Sequence, residues 1–194
     1  MYDSKESSKG LVLVTGGAGY VGSHTVVELL NADYDVVCLD NCVNAIRSSA
    51  SELPESLKRV QQITGRSLVD YVDSSLLDER ALRQLFAKYQ FDAVIHFAGL
   101  KAVGESCRQP LRYFRNNVAG TLNLLQAMSD AQVGRLIFSS SCTVYGAPNY
   151  LPVDENHPTG LQIINPYGRT KFMIEEILKD CALAEMSFGV VSLR

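Results

Sequence analysis

The amino-acid sequence predicts an α/β fold with a doubly wound, mainly parallel sheet. Short apolar runs alternate along the chain with longer amphipathic stretches, which is the pattern of repeated βα units. A glycine-rich turn follows the first apolar run, and an acidic residue follows the second. These features favour parallel strands that are buried beneath helices on both faces of the sheet.

Six strands are predicted at the short apolar runs, namely Leu11–Thr15, Asp35–Leu39, Ser67–Val72, Ala93–Phe97, Arg135–Ser139 and Phe188–Leu193. Five helices are predicted between them, namely Val21–Ala32, Leu53–Thr64, Leu77–Tyr89, Leu111–Ala131 and Pro166–Ala184. Asp78 can cap the third helix, and Asn165 followed by Pro166 marks the start of the fifth. The segment Gly146–Gly160 is rich in proline, glycine and polar residues, which predicts a long irregular loop.

Composition describes an ordinary globular chain. Its 194 residues are 46% hydrophobic and carry a formal net charge of −3, and the basic residues form no block that would attract nucleic acid or an anionic membrane. Residues 1–10 form a polar tail, and the apolar run Leu11–Val14 is too short for export, so we expect one cytoplasmic domain over residues 11–194. Five scattered cysteines favour reduced thiols, and three distant histidines predict no metal site.

The first turn has the features of a phosphate-binding loop. Gly16, Gly19 and Gly22 lie between the first strand and the first helix, where they permit a tight turn and a close approach of phosphate to the helix N-terminus. Asp40 ends the second strand, where a carboxylate hydrogen-bonds the adenosine ribose and repels a 2′-phosphate. Together they predict a Rossmann-like site for NAD rather than NADP. Taken singly, the glycines and the pair Asp40-Asn41 also fit ordinary turns.

Tyr167 and Lys171 form a candidate catalytic pair, because residues four apart share one face of a helix. A tyrosine has a pKa near about 10, and we expect a neighbouring ammonium and a positively charged nicotinamide to lower it. The serine run Ser139–Ser141 lies at the carboxyl end of the fifth strand, where open α/β sheets bind ligands. Alternatively, Tyr167 and Lys171 are an exposed pair on a helix, and the serine run is a polar turn after a buried strand.

The order of these motifs resembles the extended short-chain dehydrogenase/reductases. It comprises the glycine loop, Asp40, His96-Phe97-Ala98-Gly99, Ser-x-Thr-Val-Tyr-Gly at 141–146 and Tyr-x-x-x-Lys at 167–171. Within that family, segments 16–25 and 96–106 resemble the UDP-sugar 4-epimerases, and the likeness runs from about Leu11 to Arg194.

The resemblance implies a role for each matching residue. The residues implied at the pyrophosphate, the adenosine ribose and the adenine are Gly16, Gly19, Tyr20, Val21, Gly22, Asp40, Asn41, Asn44, Asp73 and Ser74. The residues implied beside the nicotinamide and its ribose are Phe97, Ala98, Gly99, Lys101, Asn116, Tyr167 and Lys171. Catalysis is implied for Ser141, Tyr167 and Lys171, and substrate binding for Lys101, Ser141, Thr143 and Tyr167.

The resemblance also implies an activity and partners. The expected reaction is NAD-dependent inversion at C4 of a UDP-hexose, from UDP-galactose to UDP-glucose through a 4-keto intermediate, in galactose metabolism. A homodimer through the third and fourth predicted helices is implied as well. The family's sugar-binding region would follow Arg194, so we expect the C-terminal substrate domain to be missing from this sequence.

A few positions depart from the family's usual residues, and two other functions stay open. The departures are Ser74, Cys142 and the pair Arg169-Thr170, and none of them removes a reacting group. A nucleotide-sugar 4,6-dehydratase would carry an Asp–Glu pair after Ser141, where this chain has Cys142-Thr143. A non-catalytic NAD-binding module is the second alternative, because the sugar-binding half is not in the sequence.

Overall fold

The computed structural model describes residues 8–49 and 52–194. The chain divides after Ala98 into two compact units. The expectation of a polar tail over residues 1–10 followed by one domain stays a prediction, and residues 1–7 of that tail lie outside the described residues.

The first unit is built from alternating strands and helices. Its elements are β1 (Leu11–Thr15), α1 (Tyr20–Asn31), β2 (Asp35–Leu39), α2 (Glu55–Thr64), β3 (Asp70–Val72), α3 (Glu79–Lys88) and β4 (Ala93–His96). All of the strand pairs are parallel, in the order β3-β2-β1-β4, with Val14 opposite both Cys38 and Ile95. Strand β1 is therefore central and its middle residues are buried, as its continuous apolar run predicts.

The second unit begins with helices. Its elements are α4 (Val103–Arg108), α5 (Pro110–Tyr113), a π-helical segment (Phe114–Ala119), α6 (Gly120–Asp130), β5 (Arg135–Ser139), a 3-10 turn (Cys142–Tyr145), α7 (Pro166–Ala184) and β6 (Gly189–Leu193). Strands β5 and β6 pair in parallel, with Ile137 opposite Val191. The core of this unit includes Phe138, Leu124 and Ile174, none of which is more than 1% exposed.

The two predicted helix caps are confirmed. Asp78 accepts a hydrogen bond from the backbone N–H of Ala81 at 2.9 Å, and Asn165 accepts one from the N–H of Gly168 at 2.8 Å, with Pro166 in the first turn. Each side chain satisfies a backbone donor that the first helical turn leaves without an intrahelical partner.

Several predicted boundaries were wrong. The single helix expected over Leu111–Ala131 contains a π-helical segment, a local widening that is common at functional sites. The helix α4 was not predicted, because its six residues are too few to show a helical period. Strand β3 has three residues, and the segment 67–69 stays outside it. In the loop Gly146–Gly160, no helix or strand forms, as predicted.

Within residues 8–49 and 52–194, no helix combines the length and the apolar character that crossing a membrane requires. In the same residues, no three histidine, cysteine or acidic side chains come together as metal ligands.

Candidate active site

The glycine loop between β1 and α1 depends on two residues that have no room for a side chain. Gly16 has φ 72°, and a Cβ atom there would lie 2.6 Å from the backbone nitrogen of Ala98. A Cβ atom on Gly22 would lie 2.2 Å from the carbonyl oxygen of Gly16. The loop therefore packs backbone against backbone, which only glycine permits.

Helix α1 presents its N-terminus at this loop. The cap residue is Gly19, which has no side chain to occupy the first backbone N–H groups, and the side chains of Tyr20 and Val21 are exposed. Free N–H groups and the positive end of the helix dipole favour an anion here. A backbone cradle and a helix N-terminus therefore lie together at the turn where the sequence predicts phosphate binding.

Asp40 joins the glycine loop to the end of β2. Its carboxylate accepts hydrogen bonds from the backbone N–H groups of Ala18, at 3.0 Å, and Cys42, at 2.8 Å. Burial raises the pKa of Asp40 above its usual value, and these two hydrogen bonds oppose that rise. Each oxygen of the carboxylate thus accepts a backbone hydrogen bond, in addition to the ribose contact that the sequence predicts.

The other residues predicted around the adenosine are spread along the same edge. Asn41 and Asn44 are exposed, and Ser74 is half-buried after β3. Asp73 forms an ion pair with Arg47 at 2.8 Å, a partner that sequence reasoning missed. Asp73 lies close enough to Asp40 that its charge contributes to raising the pKa of Asp40.

In the second unit, three consecutive residues at the end of β5 meet three residues spaced one turn apart on α7. The Lys171 Nζ donates a hydrogen bond to the carbonyl of Ser139 at 2.7 Å, and the Ser140 hydroxyl donates one to Glu175. The third pair is Ser141 and Tyr167, which lie close enough that the Ser141 hydroxyl acts to lower the pKa of Tyr167. We call these three pairs the triple serine contact. It brings together all three residues for which a catalytic role was predicted.

The two titratable residues of the predicted pair respond mainly to burial. Lys171 is 5% exposed, and burial lowers its pKa to about 8. Burial raises the pKa of Tyr167 above its usual value, while the hydrogen bond from Ser141 acts in the opposite direction. Burial, Ser141 and Cys142 set the pKa of Tyr167 here, and the Lys171 ammonium is not among the causes, so the expected lowering by the ammonium together with a bound nicotinamide stays a prediction.

Asn117 is a buried polar residue that sequence reasoning missed. Its side-chain oxygen accepts from the N–H of Leu100 at 2.8 Å, and its amide nitrogen donates to the Leu100 carbonyl at 3.0 Å and to the Thr170 hydroxyl at 3.1 Å. Asn116 also donates to that oxygen, at 2.9 Å. The π-helical segment therefore holds the segment around Leu100 against the residue that precedes Lys171.

The residues on either side of Leu100 differ in their surroundings. A Cβ atom on Gly99 would lie 3.5 Å from the Asn117 side-chain oxygen and 3.7 Å from the Lys171 Nζ, so Gly99 borders the buried lysine. Lys101, in contrast, is exposed. In the first unit, Phe97 donates its N–H to the carbonyl of Thr15 at 2.9 Å, and Ala98 packs against Gly16.

Glu175 also binds Arg194. The Arg194 guanidinium donates to both Glu175 oxygens, at 2.8 Å from Nη2 to Oε2 and 3.0 Å from Nε to Oε1, and its Cζ lies 5.3 Å from the ring centroid of Tyr145. Glu175 was missed by the sequence analysis, although its position four residues after Lys171 puts it on the same helical face. A carboxylate one turn beyond Lys171 on that face was the available signal.

One family model matches residues 12–194, and its description is NAD dependent epimerase/dehydratase family. The UDP-glucose 4-epimerase of Homo sapiens is 58% identical over 183 residues, which are 94% of this chain and 52% of that protein. The UDP-glucose 4-epimerase of Bacillus subtilis is 51% identical over 183 residues, again 94% of this chain and 51% of that protein. The chain thus spans about half the length of the curated relatives it matches.

Solved structures show the same likeness. The UDP-glucose 4-epimerase of Bifidobacterium longum, in complex with NAD+ and UDP, has a TM-score of 0.87 and 47% identity, covering 95% of this chain and 52% of that chain. The UDP-Glc/GlcNAc 4-epimerase of Campylobacter jejuni has a TM-score of 0.86 and 34% identity, covering 95% and 53%. The predicted α/β class with a doubly wound, Rossmann-like parallel sheet is confirmed by this likeness.

Proposed function

Because this chain belongs to the NAD dependent epimerase/dehydratase family, we propose that it is the NAD-binding part of an enzyme that interconverts UDP-galactose and UDP-glucose. The observation that carries the proposal is the meeting of α7 with the residues that end β5, where the buried Lys171 donates to the Ser139 carbonyl and Ser141 acts to lower the pKa of Tyr167. The names of the relatives at 51–58% identity support the choice of reaction.

The residues of the first unit fit a dinucleotide. The glycine loop has a backbone cradle that a side chain would fill, and the N-terminus of α1 offers donors for a pyrophosphate. The negative charge of Asp40 would disfavour the 2′-phosphate of NADP. We propose that the residues holding NAD are Gly16, Gly19, Tyr20, Val21, Gly22, Asp40, Asn41, Asn44, Asp73, Ser74, Phe97, Ala98, Gly99, Lys101, Asn116, Tyr167 and Lys171.

When bound, NAD supplies a reversible acceptor for the hydride of C4 and a positive ring that favours a phenolate nearby. Tyr167 takes the proton of the sugar 4-hydroxyl as C4 loses its hydride, which gives a 4-keto sugar. Ser141 donates a hydrogen bond to the same oxygen, and Lys171 holds the nicotinamide ribose. After the sugar presents its opposite face, Tyr167 would return the proton to the 4-oxygen, so that C4 would be inverted without net oxidation.

Thr143 and Lys101 complete the proposed substrate contacts on the sugar side. The residues after Ser141 favour epimerisation over dehydration, because Cys142 and Thr143 offer no carboxyl group to eliminate water. We also propose that the complete protein is cytoplasmic and forms a homodimer. The exposed side chains of Leu111 and Leu122, on helices of the second unit, support the dimer. Analytical ultracentrifugation of the complete protein tests the dimer.

The test of the reaction uses the complete protein in which this sequence occurs. We expect it to convert UDP-galactose to UDP-glucose with bound NAD, without accumulating NADH. The variant Tyr167→Phe should still bind NAD, through the other proposed cofactor contacts, and lose at least a hundredfold in turnover, because it removes the acid–base hydroxyl. Full activity of Tyr167→Phe would show that another residue is the base. NAD binding without turnover in the unaltered protein would support the non-catalytic module instead.

A further inference from the structure

Two buried polar side chains hold the backbone on either side of Lys101. On one side, Asn117 binds both the N–H and the carbonyl of Leu100, at 2.8 and 3.0 Å. On the other side, the phenol oxygen of Tyr113 accepts a hydrogen bond from the N–H of Ala102 at 3.1 Å. Tyr113 is fully buried, whereas Lys101 between the two held residues is exposed. An exposed cation therefore extends from a backbone that is fixed at both of its neighbours.

The two hydrogen bonds of Tyr113 have only one possible direction. A backbone N–H can only donate, so the Tyr113 oxygen is the acceptor for Ala102. A carboxylate can only accept, so Tyr113 donates its proton to Glu105, at 2.6 Å. Burial, reinforced by the bond to Glu105, raises the pKa of Tyr113 to about 12, and the phenol keeps this proton at neutral pH. The two bonds thus form one chain from the backbone through the phenol to the carboxylate, in which each bond polarises the other.

The carboxylate at the end of this chain is itself held in place. Its second oxygen accepts a hydrogen bond from the Arg112 guanidinium at 2.8 Å. The bond from Tyr113, followed by the charge of Arg112, lowers the pKa of Glu105, so Glu105 stays charged at neutral pH. The ion pair is exposed enough to add little to stability, but it fixes the acceptor that Tyr113 needs.

We propose that Tyr113 is a positioning residue for Lys101, which it keeps in place to contact bound NAD. The inference rests on the proposed function, in which Lys101 is one of the residues that hold the cofactor. A long lysine side chain loses much conformational entropy when it binds a ligand, and a backbone that is already ordered reduces the further loss. Tyr113 acts through the backbone of Ala102 and not by contact with the cofactor. Without the phenol oxygen, the Ala102 N–H loses this partner and the segment around Lys101 is held on one side only.

The first measurement tests the hydrogen bond itself, by amide hydrogen exchange in the complete protein. Tyr113→Phe keeps the buried ring and removes the acceptor of the Ala102 N–H, and circular dichroism confirms that the variant is folded. We expect the Ala102 amide to exchange about tenfold faster in this variant. Tyr89→Phe is the matched control, because it also removes a phenol that donates to a carboxylate, that of Asp70 at 2.8 Å. The control should leave the exchange of Ala102 unchanged.

The second measurement asks whether Tyr113 acts through Lys101. The dissociation constant of NAD is compared among the unaltered protein, Tyr113→Phe, Lys101→Met and the double variant. We expect Tyr113→Phe to weaken NAD binding about fivefold when Lys101 is present and to have no effect in the Lys101→Met background. Glu105→Leu, which removes the acceptor of the phenol proton, should act like Tyr113→Phe, whereas Glu105→Gln keeps an acceptor oxygen and should bind NAD normally.

Three results would overturn the proposal. Unchanged exchange of the Ala102 amide in Tyr113→Phe would show that the phenol does not hold this backbone. Unchanged NAD affinity in that variant would show that holding it is of no use to the cofactor. An equal loss of affinity with and without Lys101 would show a general structural role. A failure of the proposed function alone would look different, since NAD binding would depend on Tyr113 and Lys101 together while the complete protein showed no epimerase turnover.

Discussion

The Ser140 hydroxyl donates a hydrogen bond to the buried carboxylate of Glu175, one helical turn beyond Lys171. Ser140 lies between Ser139 and Ser141 in the chain. Its contact with Glu175 therefore ties the residues at the end of β5 to α7. Because Ser139 and Ser141 flank Ser140, the position of Glu175 bears directly on where Lys171 and Tyr167 are held.

Replacing Glu175 with alanine should destabilise the chain. The substitution leaves the partly exposed Arg194 guanidinium without its carboxylate, and the Ser140 hydroxyl without its acceptor. We expect a cost of about 1.5–3 kcal/mol, that of a lost hydrogen bond to a charged group, and the free energy of unfolding in urea measures it. Glu176→Ala on the exposed face is the matched control, and equal effects of the two variants would contradict a special role for Glu175.

Lys171 should make stability depend on pH in the alkaline range. Its pKa is lowered from 10.5 to about 8 in the folded chain, so the unfolded chain binds more protons between these two values. The free energy of unfolding therefore rises as the pH increases from about 8 to about 10.5. The contribution of Lys171 to this rise is on the order of 3 kcal/mol. Urea unfolding of the wild type and Lys171→Met across this range isolates the effect. Parallel curves for the two proteins would contradict it.

Gly16→Ala should abolish NAD binding, whereas Gly65→Ala should not. The two glycines have nearly the same φ, 72° and 66°, so both substitutions strain the backbone by about 1 kcal/mol. Only the Cβ at position 16 meets a neighbour, the backbone of Ala98, while a Cβ at position 65 has nothing within 4 Å. Isothermal titration calorimetry with NAD measures the difference. NAD binding by a folded Gly16→Ala would show that the cradle is not the phosphate site.

Asp40→Asn should reduce the preference for NAD over NADP. The amide removes the negative charge that repels a 2′-phosphate, and its nitrogen cannot accept one of the two backbone hydrogen bonds from Ala18 and Cys42. We expect the dissociation constant for NADP, divided by that for NAD, to fall about tenfold, which is equivalent to about 1.4 kcal/mol. Asp35→Asn, an exposed residue on the same strand, is the charge-matched control. An unchanged ratio would mean that Asp40 stabilises the glycine loop and does not select between NAD and NADP.

Local signals in the chain were sufficient for much of the fold. The strands β1, β2 and β5 begin and end at the predicted residues, because continuous apolar runs between polar residues mark strands buried on both faces. The start of α7 was likewise predictable from Asn165 and Pro166. The π-helical segment was not, because it has the same apolar pattern as the helix around it and its backbone geometry depends on packing.

The sequence by itself determined the glycine loop, the helical spacing of Tyr167 and Lys171, and the place of Ser141 after a buried strand, because each is a matter of residues near one another in the chain. Only the tertiary structure decided which partners complete the site. Glu175 meets Ser140 across 35 residues, and Asn117 meets Thr170 across 53. Packing brings such residues together, and no pattern of neighbouring residues encodes a pairing over that distance.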